Sequence, residues 1–305
     1  MDISHNESPI VKVDIINEIE LFIKREDLNH PTISGNKFWK LYYSVQEYFN
    51  RSDSNKMLIT FGGAYSNHIL ALSYVGKIYG IPTLGIIRGE ELIDRINENP
   101  TLKESINNEM QLQFVSREQY RDKSSVAQQL NKDYPNALII PEGGTTELAV
   151  KGISHMLGTE TFGFEYLCVA VGTGGTIAGL SKYASESQKV IGFSVVKDAS
   201  LYEKVKSLSK SDNFELVEAE YGKYGLIDQE VVSFINEFFQ KYKVPLDPLY
   251  TGKAMLSLVR KINEGYFKKG SKILFIHTGG LQGIRGANLM LAKKSLPTIK
   301  IDIFD

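Results

Sequence analysis

The sequence predicts an α/β protein whose mostly parallel strands are joined by crossover helices, and three observations carry that expectation. Short β-rich runs alternate with helical patterns along the 305 residues. Apolar residues in the intervening segments recur at helical spacing. Glycine clusters stand at the C-terminal ends of several runs, where an open α/β sheet receives its ligand.

The runs fall at residues 21–24, 57–61, 83–87, 112–115, 137–140, 167–171, 190–194 and 273–277. Among the helical segments, Val231, Ile235, Phe238 and Tyr242 follow one another at offsets of four, three and four and so share one face. Residues 90–108 are charged and asparagine-rich and predict solvated surface, with Pro100 just inside a helix start. The single cysteine, Cys168, lies in the apolar stretch Tyr-Leu-Cys-Val-Ala-Val and reads as a small core residue that cannot form an internal disulfide.

Composition narrows the function classes. Lys plus Arg (35) nearly balances Asp plus Glu (36), a formal net charge of -1 with no long single-sign block, unlike a dedicated nucleic-acid binder. A small ligand is expected instead. With 42% hydrophobic and 23% charged residues the chain has material for a sizeable core, and its length suits one large or two medium domains. The first residues carry neither a basic region nor an apolar run, and no stretch of about 18 apolar residues occurs, so a cytoplasmic protein without a membrane segment is expected. Scattered histidines and one cysteine give no metal site.

The strongest chemical signal is Gly172-Thr173-Gly174-Gly175-Thr176, between an apolar strand and a helix. Glycines let successive backbone N–H groups face an anion, Thr173 and Thr176 add hydroxyls, and the helix N-terminus adds partial positive charge. The loop reads as a phosphate cradle without a fixed cation. A dinucleotide motif would need glycine at 177, where Ile177 stands, and no Gly-Lys-Ser/Thr follows, so the choices are a phosphate-bearing cofactor or substrate, or a tight turn alone.

Four further segments add weight. Lys24-Arg25-Glu26-Asp27 precedes Ser34-Gly35-Asn36-Lys37 at a helix start, where Ser34 or Asn36 could cap the helix and Lys37 could be a solvated first-turn lysine. Gly62-Gly63-Ala64-Tyr65-Ser66-Asn67-His68 also follows a strand, and Ser66 and Asn67 could cap a helix, hold a substrate carboxylate, or both. Near the C-terminus, Asp247-Pro248-Leu249-Tyr250-Thr251-Gly252-Lys253 and His277-Thr278-Gly279-Gly280 offer groups to a cofactor ring. Tyr250 could equally be a core aromatic, and His277 at a strand end reads as structural.

In this order the segments resemble the aminocyclopropane carboxylate deaminase and D-cysteine desulfhydrase family, of the tryptophan-synthase-β-like fold of pyridoxal 5'-phosphate enzymes (fold type II), over nearly the whole chain. The resemblance implies that Lys37 binds the cofactor covalently, that Gly172, Thr173, Gly174, Gly175 and Thr176 cradle its phosphate, that Asn67 bonds its ring hydroxyl, and that Thr278 lies at the ring. It implies Ser66 at the substrate carboxylate and Tyr224 and Tyr250 near the substrate. It also implies two lobes, a smaller mobile one at 52–160 and a larger one from 1–51 and 161–305, and a homodimer.

Two positions depart from the deaminases proper, which have Glu after the tyrosine of Asp-Pro-x-Tyr and Leu in the last Gly-Gly motif; here Thr251 and Thr278 stand there. A carboxylate favours a protonated pyridine nitrogen, whereas a hydroxyl can donate to the unprotonated one. The resemblance therefore leans to β-elimination of D-cysteine to pyruvate, hydrogen sulfide and ammonia, with Lys37 taking the α-proton. The alternatives are opening of 1-aminocyclopropane-1-carboxylate to 2-oxobutanoate and ammonia, and a non-catalytic pyridoxal-phosphate-binding protein.

Overall fold

The computed structural model describes residues 4–52, 54–219 and 225–301. From the N-terminus run β1 (Ile10–Ile16), β2 (Ile19–Lys24), α1 (Asn36–Phe49), β3 (Met57–Gly62), α2 (Asn67–Tyr79), β4 (Thr83–Arg88) and α3 (Pro100–Asn107). There follow β5 (Gln111–Val115), α4 (Lys123–Asp133), β6 (Ala137–Ile140), α5 (Glu147–Ile153), β7 (Tyr166–Val171), α6 (Gly175–Tyr183) and β8 (Lys189–Ser194). The chain continues with α7 (Leu201–Ser209), β9 (Phe214–Glu218), α8 (Gln229–Tyr242), α9 (Thr251–Asn263), β10 (Lys272–Ile276) and α10 (Gly283–Lys293).

The strands divide into a six-stranded sheet, β1-β2-β10-β7-β8-β9, and a four-stranded sheet, β5-β4-β3-β6. Every pairing is parallel except the hairpin of β1 with β2. Parallel strands must return through crossovers, and helices on both faces explain why β3 is buried throughout and β7 and β10 nearly so. On α8 the expected stripe faces the core: Val231, Ile235 and Phe238 are buried and Tyr242 is half-buried against them. Cys168 is buried within β7, as its neighbours predict.

The eight apolar runs of the sequence correspond to strands, but β1 and β9 fall outside that series. They are the two edges of the larger sheet and carry mixed, half-buried patterns. Residues 90–108 are less solvated than expected. After irregular turns, Asn99 caps α3 by accepting from the Leu102 N–H (3.0 Å), and Thr101, Leu102 and Ser105 are buried.

Glycines set how closely the helices beside the sheets approach. A Cβ on Gly152 of α5 would stand 1.9 Å from the Trp39 carbonyl oxygen, and one on Gly179 of α6 would stand 2.4 Å from Ile153 Cβ. Bare backbone at these points lets α5 lie tightly between α1 and α6. Among the described residues no helix is long and apolar enough to cross a membrane.

Candidate active site

Carboxyl-terminal strand ends of both sheets open on one cavity of about 320 Å³. The loops after β3, β7 and β10 and the first turns of α1 converge there, and each is positioned by its own sequence.

At the start of α1 the chain turns through Gly35 (φ 72°), and a side chain there would place Cβ 2.0 Å from the Thr278 carbonyl oxygen. Asn36 N–H donates to that same oxygen (3.2 Å), which fixes Lys37 beside the loop after β10. Neither Ser34 nor Asn36 caps the helix: Gly35 occupies the N-cap and offers no side chain, because the tight approach to Thr278 excludes one. The Lys24–Asp27 segment braces this turn from behind. Glu26 accepts from Trp39 Nε1 (2.8 Å) and its backbone oxygen from Gly35 N–H (3.0 Å), while Arg25 pairs with Asp27 at 2.7 Å. His277 is structural, as expected; its Nε2 donates to Pro245 O (2.7 Å) and its Nδ1 accepts from Gly279 N–H (3.2 Å).

Lys37 reaches the cavity with its amine donating to Asn36 Oδ1 (3.0 Å), and Asn36 Nδ2 donates to Thr176 Oγ1 (2.9 Å). Two hydrogen bonds thus link the amine to the glycine loop. The side chain is half-buried by exposure, yet protein crowds its amine; loss of water lowers the amine to about 8, opposed in part by the Asp247 carboxylate.

The loop after β7 begins at Gly172, whose Cβ would lie 3.0 Å from the Tyr250 ring, and reaches α6 at Gly174 with φ 85°. Gly174 is the N-cap and supplies no side-chain acceptor, so the first N–H groups of α6 have no cap. A lysine amine does stand beside the cradle. Lys40, one turn beyond Lys37, is buried and donates to Gly143 O (3.0 Å) and Thr145 Oγ1 (3.3 Å), and Thr145 Oγ1 lies 2.7 Å from Thr173 Oγ1. A Cβ on Gly175 would stand 3.0 Å from Lys40 Nζ. Burial first, then the Lys37 charge, pushes the Lys40 amine well below its ordinary value, so a neighbouring anion would be strongly favourable. The sequence hides this because Lys40 and the loop are brought together only by the crossover.

On the opposite wall, Ser66 caps α2 by accepting from the N–H groups of His68 (3.2 Å) and Ile69 (3.3 Å). Asn67 lines the cavity beside Gly280, whose Cβ would meet Asn67 Nδ2 at 2.6 Å. His68 is a residue the motif reading passed over: it lines the cavity, is buried, and neither ring nitrogen has a partner among the described residues. Burial, then the charges of Lys37 and Lys40, holds its imidazole well below the ordinary range.

Tyr250 and Thr278 line the cavity. Thr251 does not: its hydroxyl donates to Asp247 Oδ2 (2.7 Å) at the start of α9, and the same carboxylate takes the N–H groups of Leu249, Tyr250 and Thr251. Of the two departures noted in the sequence, only Thr278 therefore presents its residue to the cavity. Tyr224 lies outside the described residues, although Gly225 beside it lines the same cavity.

This donor set fits pyridoxal 5'-phosphate. Uncapped N–H groups of α6, the Thr173 and Thr176 hydroxyls and Lys40 suit a phosphate, and a lysine amine of lowered basicity suits an aldehyde. A family model described as "Pyridoxal-phosphate dependent enzyme" matches residues 3–279. The bifunctional D-cysteine desulfhydrase/1-aminocyclopropane-1-carboxylate deaminase of Arabidopsis thaliana is 30% identical over 88% of this chain and 74% of that protein. The D-cysteine desulfhydrase of Serratia proteamaculans is 24% identical over 92% of this chain and 93% of that protein. A solved structure of an ACC deaminase homologue superposes with a TM-score of 0.78 at 28% identity, covering 95% of this chain and 94% of that one. Fold, cavity chemistry and relatives agree, and the chain belongs to the family of pyridoxal-phosphate-dependent enzymes.

Proposed function

We propose that this chain catalyses β-elimination on a small amino acid, with D-cysteine giving pyruvate, hydrogen sulfide and ammonia. The observation that carries the reading is the Lys37 amine, lowered to about 8 and joined through Asn36 to the glycine loop. Gly172, Thr173, Gly174, Gly175, Thr176 and Lys40 would hold the cofactor phosphate, and Asn67 and Thr278 would flank its ring. Bound there, the cofactor supplies an aldehyde for amines and an electron sink for the substrate's Cα. Lys37 then has the basicity to accept the Cα proton near neutral pH. Ser66 and the first turn of α2 would hold the substrate carboxylate, and Tyr250 would orient the side chain. In the same reading the protein is a cytoplasmic homodimer, by family analogy. Its lobes are 52–160 and 1–51 with 161–305, a division supported by the strands of the smaller sheet all falling within 57–140. Movement of one lobe would close the cavity over substrate.

Ring opening of 1-aminocyclopropane-1-carboxylate is the second reading, favoured by the bifunctional name of the Arabidopsis relative. Thr278 at the cavity wall, where the deaminases proper have leucine, supports elimination instead. Borohydride reduction followed by peptide mapping is expected to place one pyridoxyl group on Lys37. Labelling at limiting cofactor should rise about tenfold per pH unit on approach to 8 and level off above it, because only the neutral amine reacts. Side-by-side assays of D-cysteine and 1-aminocyclopropane-1-carboxylate separate the readings. A label on another lysine would overturn the proposal, and turnover of neither compound nor any small amino acid would overturn it in favour of a binding protein.

A further inference from the structure

Two anion positions are accounted for by the proposed function: the phosphate at α6 with Lys40, and the substrate α-carboxylate at α2. A third cation, Arg88, has no such assignment. It is the last residue of β4, and the register Gly62↔Ile87 sets it level with the Gly63 turn that leads to Ser66. Its guanidinium lies close to that turn; a Cβ on Gly63 would stand 3.5 Å from Arg88 Nη2. The Tyr120 ring supports the guanidinium from one side, 5.7 Å from the ring centroid.

Arg88 is half-buried and lines both the inner cavity and an adjoining outer chamber of about 350 Å³. The other cations of the outer chamber are each engaged by a carboxylate. Arg95 and Lys293 both pair with Glu98 (3.2 and 2.8 Å), and Arg117 pairs with Glu91 (2.7 Å). Among the described residues no carboxylate or carbonyl accepts from Arg88. A partly desolvated guanidinium with a free fork, at the junction of two chambers, is suited to a carboxylate-like group entering from solvent.

We propose that Arg88 forms a third anion subsite, which receives an acidic group on the side chain of the amino-acid substrate. The inference rests on the proposed function for the placement of the α-carboxylate at Ser66, and it narrows the substrate class. Among amino acids that carry a β leaving group, those with an anionic side chain are preferred, and D-cysteine, whose thiol is mostly neutral at pH 7, is a weaker substrate.

The test measures affinities of the cofactor-loaded protein for both enantiomers of aspartate and asparagine, followed by the change in visible absorbance as the amino acid displaces Lys37. Aspartate should bind tenfold or more tighter than asparagine, as expected for one charge-assisted contact. In Arg88→Gln that ratio should collapse toward one with asparagine unchanged, and Arg88→Lys should restore part of it. Equal affinities in the unmodified protein would overturn the proposal. So would equal weakening of both ligands in Arg88→Gln, which would place Arg88 at the α-carboxylate or in the packing of the wall. Should no cofactor attach to Lys37, the proposed function fails, but the subsite is still tested by calorimetry on the cofactor-free protein with succinate against succinamate. A preference for succinate that Arg88→Gln abolishes would support it, and equal binding would sink it.

Discussion

Among the helix N-termini at the cavity, those of α2 and α6 are finished differently. At α2 the cap is Ser66, whose hydroxyl accepts from two backbone N–H groups, so this terminus is satisfied by its own sequence. At α6 the cap is Gly174, with φ 85° and no side chain, so the corresponding donors wait for an acceptor from outside. The loop at α6 is also crossed by bonds from distant segments: Asn36 reaches Thr176, and Thr145 connects Thr173 to Lys40. A terminus that lacks a cap and has a buried amine beside it is built for a permanently bound anion. A self-capped terminus is suited to a carboxylate that arrives and leaves, since releasing Ser66 costs only about 1 kcal/mol.

Substitution of Gly174 by alanine should break this contrast most strongly. Alanine is strained at φ 85°, and its Cβ would sit 2.9 Å from Val205 Cγ2, so the turn must shift. Stability should fall by about 1–3 kcal/mol on thermal or denaturant melting. With two charge-assisted contacts misaligned, the pyridoxal phosphate dissociation constant should rise on the order of 100-fold. Unchanged cofactor affinity would mean that the phosphate is held elsewhere. Lys40→Met should have the next largest effect, about 10- to 100-fold weaker cofactor binding by fluorescence titration, through loss of one buried cation. If Lys40→Met binds as tightly as the unmodified protein, the distinction between the two termini reduces to the cap alone.

The same contrast explains what the sequence reveals. Local signals survive as written: eight strands, the Ser66 cap, Pro100 at a helix start and the glycine loop are all legible from neighbouring residues. Edge strands β1 and β9 are not, because a strand half open to solvent need not be an apolar run. The site residues that escape motif reading, Lys40, His68 and Arg88, share another cause. Each gains its meaning from partners or neighbours far along the chain: Gly143 and Thr145 for Lys40, Gly144 for His68, Gly63 and Tyr120 for Arg88. Nothing within one turn of Lys40 distinguishes it from a surface lysine, yet the parallel crossovers bury it behind the glycine loop. The departure at Thr251 fails for the reverse reason, since its hydroxyl is engaged by Asp247 within its own turn.

The smallest effect is expected at the self-capped terminus, and it tests the contrast from the other side. Ser66→Ala leaves the N–H groups of His68 and Ile69 without their acceptor, which should lower stability by about 1 kcal/mol. Cofactor affinity should stay within about twofold, because α6 and Lys40 are untouched, whereas KM for a small amino acid should rise several-fold. At a fixed concentration, a small amino acid should raise the melting temperature of Ser66→Ala less than that of the unmodified protein, in step with its weakened affinity. A parallel loss of cofactor and substrate binding in this variant would show that the two termini act as one site, and the division between a resident anion and a visiting one would have to be abandoned.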